Sequence, residues 1–477
     1  ISHKLQRSKN TSGNQLNNIQ GDKEMNVHLE EGLFELCSER IMADEEFKAI
    51  ARNRNFDKVN NDLFQEFKLY QLKKTIGYVS ENSRFYKEKF KKNHVGAEDI
   101  KSLGDIGKFP FTFPEDLRNT SYDFLCVSQR DVEKPVTFYS SGTTGIKKRI
   151  YFSNGDIIKI LQFLPRGMNT VIGREEGNIQ ILLPNSSGRG IGYLLGKSLE
   201  SFGMRAVVSD MESTSDVIMR TCLDARPNVW FGDTGTIFRV TKEMEGKMDL
   251  SKSGVKVLFL TMGNISGPMK KYLEKVWNCR VVTHYGLTEM GWGLAVDCDT
   301  CDGYYYNELD VIAEVVDPKT GRVLPDGEAG ELVFTSIGRE AMPLIRFRSG
   351  DISRLSKSTC GRNLQLMGHI VRRMEGMYGL GDGRYIYPAL LEDAIYSVNE
   401  VVDYRASVKG RHLFIELETV DKGYYHRSEE SVKEEAVKRL IEIDAIRDSG
   451  FGLTVELLEN GALKPLCHQK KLIEERK

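Results

Sequence analysis

Arg280-Val-Val-Thr-His-Tyr-Gly-Leu-Thr-Glu289 opens on a β-branched run and turns at a glycine into polar residues. Such a run favours a strand and glycine ends it. The stretch therefore predicts a buried strand, Arg280–Thr283, with His284–Glu289 at its C-terminal end. Comparable runs precede it at Asn178–Leu183, Arg205–Ser209, Val229–Phe231 and Val255–Leu260, separated by helical stretches. Strands alternating with helices predict βαβ units and parallel sheets. Ligands of open α/β sheets gather beyond the strands' C-terminal ends. That makes Tyr285 a candidate to stack on a base, Thr288 to donate to a phosphate, and Glu289 to hold a divalent metal. A helix N-terminal turn capped by Thr288 accounts for the same residues without a ligand.

The rest of the chain arranges itself around this α/β region. Residues 1–24 are polar and too poor in large apolar groups to offset the entropy of ordering. They are expected to be a disordered leader, with Met25 a candidate start. Residues 26–95 read as helices: Leu63, Phe67 and Tyr70 form an apolar stripe, and Leu72, Ile76 and Val79 repeat it on a shifted face. Pro110 and Pro114 mark a loop before a short helix. Residues 310–355 are strand-rich, with turns at Asp317–Gly321 and Pro325–Gly330, and suit a small antiparallel or barrel-like subdomain. Beyond the glycine-rich 375–384 a smaller α/β unit follows: a helix at Leu390–Val398, strands at Val402–Val408 and Leu413–Glu418, and a helix at Glu429–Ile443. The expected organisation is a large N-terminal domain over 25–373 and a small mobile C-terminal domain over 374–477.

Two further motifs carry chemistry. Tyr139-Ser-Ser-Gly-Thr-Thr-Gly-Ile-Lys-Lys148 interleaves hydroxyls with glycines. Small residues let backbone N–H groups approach phosphate oxygens, and a lysine adds a point charge. It is no Walker loop, and an ordinary Ser/Gly turn has the same composition. Arg346-Phe-Arg-Ser-Gly-Asp351 places an aspartate after a glycine turn, where it can accept from a ribose diol or simply sit in a β-turn.

Composition narrows the function classes. The 477 residues are 40% hydrophobic, enough for a large core. Lys+Arg number 67 against 68 Asp+Glu, a net charge of −1, which gives no general basic face for nucleic acid. No run of 18 apolar residues suggests a membrane span and no signal core precedes the domain. Eight cysteines, mostly scattered, suit free thiols in the cytoplasm. Cys298 and Cys301 stand apart with the C-x2-C spacing of zinc sites, although a second such pair is missing.

SSGTTG, YGLTE and RFRSGD, in that order, resemble the core motifs of the adenylate-forming superfamily of acyl- and aryl-CoA ligases, adenylation domains and luciferases. QLKKTIGYVSENSRFYKEKF, NELDVIAEVVDPKTGRVLPDGEAGELVFTS and the loop ending Cys360-Gly-Arg362 are similar to the phenylacetate–CoA ligase branch. The resemblance covers residues 65–470 and is strongest over 280–375. It implies that Ser140, Ser141, Gly142, Thr143, Thr144, Gly145 and Lys148 grip the phosphates of ATP, with Lys147 where many members have proline. It implies Tyr285 and Gly286 beside the adenine, Thr288 on the α-phosphate, Glu289 on Mg²⁺, and Asp351 on the ribose hydroxyls. Arg373 matches the family's ribose/phosphate arginine and Glu375 its hinge acid, with Arg372 replacing a glycine. Lys464, in Asn460-Gly-Ala-Leu-Lys464, matches the C-terminal lysine that reaches the substrate carboxylate; Lys470 and Lys471 are rivals.

The implied activity is ATP-dependent activation of a carboxylic acid, expected to be aromatic, to an acyl-adenylate. Transfer to the thiol of coenzyme A follows; a carrier-protein thiol or a non-catalytic nucleotide-binding homologue are the alternatives. The branch also implies Cys360 as a third ligand beside Cys298 and Cys301 in a structural Zn²⁺ site, with Ser358 where a further cysteine would fall and His284 one candidate for the fourth ligand. Residues 184–193 and 231–235 are the candidate acid pocket, Arg189 within it either a partner for a second acidic group or a surface residue. A homodimer is left open.

Overall fold

The computed structural model describes residues 28–476 apart from 53, 140–146, 173–176, 185–189, 299, 382, 422, 424–426, 449 and 465–470. The leader, the loop Ser140–Gly145, Arg189 and Lys470 lie outside the described residues. The N-terminal region is helical as expected: α1 (Leu29–Ala43), α2 (Asn61–Asn82) and α3 (Arg84–Asn93). The two stripes on α2 serve two different cores. Leu63 and Phe67 join a cluster with α1 and one face of the main sheet, whereas Leu72, Ile76 and Val79 pack with Phe109, Phe152 and Phe347. A stripe that rotates along a helix thus records a helix passing from one core to another.

A hairpin, β1 (Val132–Tyr139) and β2 (Lys147–Ser153), leads into α4 (Asn154–Ile172). Then strands and helices alternate: β3 (Asn178–Leu183), α5 (Ile191–Ser201), β4 (Arg205–Asp210), α6 (Ser215–Ala225), β5 (Val229–Asp233), α7 (Thr234–Met244), β6 (Val257–Thr261), α8 (Gly267–Trp277) and β7 (Arg280–Tyr285). β4, β3, β5, β6 and β7 lie side by side and parallel. Both faces are covered, which is why these strands read as apolar runs rather than alternations. β5 and β6 extend one or two residues past the expected ends because the Gly232–Leu260 and Asp233–Thr261 pairs continue the ladder.

Beyond β7 the sheet turns antiparallel through β8 (Ala295–Asp297) and β9 (Tyr304–Tyr306). The expected antiparallel subdomain is a four-stranded sheet of β10 (Val311–Val316), β11 (Gly330–Ser336), β12 (Phe347–Ser353) and, after the hairpin β13 (Leu355–Lys357) and β14 (Gln365–Met367), β15 (Arg372–Arg373). The β13–β14 hairpin itself pairs with β9 and completes the nine-stranded sheet.

After β16 (Tyr378–Gly379) and β17 (Tyr385–Ile386), α9 (Pro388–Ile395) and α10 (Glu429–Ile441) cover a separate sheet with its own core. That sheet runs β20 (Gly452–Leu458), β19 (His412–Thr419), β18 (Val401–Lys409), β21 (Ile473–Glu475). It docks on α7. Arg239 of α7 forks onto Glu418 of β19, its Nη2 donating to Oε2 at 3.0 Å. Glu418, fully buried, also accepts from the backbone of Gly461 and Leu463, each at 2.7 Å. Among the described residues no helix is long and apolar enough to cross a membrane.

Candidate active site

The motif after β7 does three things at once. Tyr285, the last residue of the strand, points its hydroxyl at Asp351 and donates to Oδ2 at 2.6 Å. Burial, then the neighbouring Asp351 carboxylate, holds the phenol well above its ordinary range, so it stays a neutral donor. Gly286 follows because nothing larger fits: a Cβ there would stand 2.0 Å from the carbonyl oxygen of Trp292. Thr288 and Glu289 then form a 3₁₀ turn, Thr288–Met290. Thr288 does not cap it; Leu287 holds that position, so the capping alternative is not what the residue does.

Asp351 is set by register. β12 pairs with β15 so that Asp351 faces Arg373, and the Arg373 Nε donates to Asp351 Oδ1 at 2.9 Å. The carboxylate is buried, while the Arg373 side chain is 32% exposed. The strand carrying Asp351 is anchored upstream by Arg346. That arginine is buried, holds φ at 49°, and clasps Glu314 through Nε and Nη2 at 3.0 and 2.9 Å. Its Nη1 also donates to the carbonyls of Gly107 and Phe109.

Glu289 is buried and meets Lys148, whose Nζ lies 3.4 Å from Oε1. Lys148 sits in β2, close in sequence to the Ser/Thr/Gly motif, so the phosphate-loop lysine and the metal-candidate carboxylate are brought together as a buried pair. A buried carboxylate facing a cation has the charge to hold a hard divalent ion once that cation turns to a phosphate. Arg339 completes this corner and was not singled out by the sequence: its Nη1 donates to the Glu289 carbonyl at 2.5 Å, and burial lowers its pKa against the opposing pull of Asp156, Asp310 and Glu289. No motif marks it, because a lone arginine in an irregular segment carries no periodic signal.

Of the C-terminal candidates, Lys464 lies half-buried in the turn that Glu418 holds, its amide donating to the Gly461 carbonyl. Lys471 is engaged elsewhere, at 2.5 Å from Asp403 Oδ1 and 3.0 Å from the Tyr404 carbonyl. Arg372 faces Ile352 across the β12–β15 pair. Glu375 is exposed, and Gly376 beside it has φ of 80° and accepts from Ile473 at 3.2 Å.

Cys298, Cys301 and Cys360 bring their sulfurs within 4.8 Å of one another. The β9–β14 pairing does this, carrying the β13–β14 loop to the loop after β8. Burial raises the Cys298 thiol. At Cys360 burial is overcome by hydrogen bonds from Ser358 and Tyr305, and its pKa falls to about 6. A near-neutral thiolate beside two thiols is a donor set for Zn²⁺. Among the described residues the cluster contains no imidazole, so the idea of His284 as fourth ligand is corrected: its Nδ1 is 2.9 Å from Thr261 Oγ1 on β6 instead.

Comparison with known proteins identifies the family. Residues 96–339 match the family model described as AMP-binding enzyme. A phenylacetate-coenzyme A ligase of Aromatoleum evansii is 31% identical over 346 residues, spanning 71% of this chain and 77% of that protein. One of Pseudomonas putida is 26% identical with the same coverage. Among solved structures, 2-hydroxyisobutyryl-CoA ligase in its postadenylation state superposes with a TM-score of 0.71 at 20% identity, over 83% of this chain and 86% of that one. With more than half of its length inside the family model, this chain belongs to the AMP-binding enzyme family.

Proposed function

We propose that the protein is an AMP-forming ligase that activates a small, aromatic carboxylic acid with ATP and passes the acyl group to coenzyme A. The convergence of Tyr285, Asp351 and Arg373 beside the Glu289–Lys148 pair carries this reading. A carboxylate is a poor acyl donor until its oxygen attacks the α-phosphate, forming a mixed anhydride and releasing pyrophosphate. Negative charge grows on that phosphate, so donors placed beforehand lower the barrier. Asp351 would accept from the ribose hydroxyls, with Tyr285 and Arg373 fixing its rotamer. Lys148 would turn from Glu289 to the phosphates, together with Ser140, Ser141, Gly142, Thr143, Thr144 and Gly145. Glu289 would hold Mg²⁺, which supplies charge neutralisation on the phosphates when bound, and Thr288 would donate to the α-phosphate. Lys464 would approach the acid's carboxylate.

In the second step the thiol attacks the acyl carbon and AMP leaves. The similarity to the phenylacetate-coenzyme A ligases, whose names give both acid and acceptor, favours free coenzyme A over a carrier protein. The division into 25–373 and 374–477 belongs to this reading: a pivot at Arg373–Gly376 would let the smaller domain serve each step in turn. So do a cytoplasmic location, where the free thiols of Cys37 and Cys222 persist, and a structural Zn²⁺ on Cys298, Cys301 and Cys360. Metal analysis of the purified protein would find about one zinc per chain, lost in Cys360→Ser.

The decisive experiment is ATP–pyrophosphate exchange with Mg²⁺ across aromatic, aliphatic and amino acids, followed by loss of free coenzyme A thiol. Exchange with aromatic acids and consumption of coenzyme A is the expected result. Exchange without thiol consumption would move the acceptor to a carrier protein, and silence with every acid would overturn the reading.

A further inference from the structure

His284 is the last inward residue of β7 on the face that also carries Phe231 and Phe259, one position before Tyr285. Those two rings meet it edge to face, at centroid distances of 5.8 and 6.2 Å. Its Nδ1 is 2.9 Å from Thr261 Oγ1. Its Nε2 is buried and, among the described residues, has no hydrogen-bond partner, although the residue as a whole is only half-buried. Burial, against the pull of Asp297, lowers its pKa to about 4, so the ring is neutral at pH 7.

A neutral imidazole carries one N–H, and the Thr261 hydroxyl decides where. That side chain is buried and has His284 Nδ1 as its hydrogen-bond partner among the described residues. If Nδ1 carried the hydrogen, the threonine proton would be stranded in the core at a cost of roughly 1–3 kcal/mol. The economical tautomer has Thr261 donating to Nδ1 and leaves Nε2–H as a donor. Nearby, glycines occupy positions 286 and 293: a Cβ on the first would stand 3.0 Å from Cε1, and one on the second 3.3 Å from Nε2. β7 lies between β6 and β8, and His284 stands near its C-terminal end, the end of the strands at which open α/β sheets bind ligands.

We propose that His284 selects the acid: its Nε2–H donates to an oxygen acceptor on the organic part of the substrate, so the preferred acid is an aromatic carboxylate bearing a hydroxyl, methoxy or carbonyl oxygen rather than a bare hydrocarbon ring. This rests on the carboxylate-activating reading and narrows its substrate class. A site holding a buried donor rejects an analogue that leaves the donor unpaired far more strongly than it rejects a missing methylene. Phe231 and Phe259, both buried, pack edge to face against the imidazole and hold its orientation.

The test is pyrophosphate exchange with phenylacetate, its ring-hydroxyl and ring-methoxy isomers, and the matching methyl isomers. Wild type should favour one oxygen-bearing isomer over its methyl counterpart by about tenfold or more in kcat/KM. His284→Leu should erase that preference while still activating the methyl compound, and His284→Gln, which keeps an N–H, should restore part of it. Equal use of oxygen and methyl partners by wild type, or an undiminished preference in His284→Leu, overturns the proposal and leaves carboxylate activation standing. No exchange with any acid overturns both. If His284→Leu fails to fold, the wild-type ratio across matched pairs decides alone.

Discussion

Two buried carboxylates, each held by an arginine, are put to opposite uses. Glu418 is fully enclosed, and its partner Arg239 is only 4% exposed. Both oxygens are taken by the guanidinium fork and two backbone amides. The pair joins residues 179 apart and locks the small sheet against α7. Asp351 is buried too, but it faces Arg373 across a strand pair, and that arginine is 32% exposed. The first carboxylate is saturated and serves as a joint. The second has one side-chain donor on each oxygen, Tyr285 on Oδ2 and Arg373 on Oδ1, and each oxygen has a lone pair to spare. Burial of a charge therefore says little about function until its partners are counted.

That contrast can be broken by substitution. Arg239→Ala should destabilise the folded protein by about 3–5 kcal/mol, since it strands Glu418 uncompensated in the core. Equilibrium denaturation measures it, and a loss under about 1 kcal/mol would mean the clasp is open in solution. Arg373→Ala should do the reverse. Its cost in stability should be smaller, about 1–3 kcal/mol, because Tyr285 still donates to the buried Asp351 and the arginine is partly exposed, while adenylation falls roughly 10²-fold. Equal losses in stability and rate would erase the distinction between joint and receptor.

A smaller effect tests the neutral imidazole beside this site. The folded pKa of His284 lies near 4, below the unfolded value near 6.5, so the unfolded chain binds the extra proton first. Its contribution is intact above about pH 6.5 and declines as pH falls toward 4, by about 1 kcal/mol at pH 5.5. His284→Leu should flatten that part of the stability profile; an unchanged slope would mean the ring is charged in the fold.

Much of the architecture was legible. β3 spans the expected Asn178–Leu183, and the helix and strands of the smaller domain fall within a few residues of their expected ends. Errors gathered where pairing rather than propensity sets the boundary, as at Gly232 and Asp233 of β5, neither of them a strand former. At the site, Tyr285, Glu289, Asp351, Lys148 and Arg373 each stood in a readable motif. Their pairings were not readable, and Arg339, Arg239 and Glu418 carried no signal at all. The zinc candidates divide the same way, with Cys298 and Cys301 marked by spacing and Cys360 joined to them only through the β9–β14 ladder.

The sequence by itself determined which local structures form and which chemical groups stand at their ends, because periodicity, β-branching and glycine turns act over a few residues. Only the tertiary structure decided which groups meet. Tyr285 reaches Asp351 across 66 residues, Lys148 reaches Glu289 across 141, and among the described residues one buried nitrogen of His284 has no partner. Those outcomes follow from strand register and the burial of whole faces, and from the rule that a buried polar atom finds a partner or awaits one.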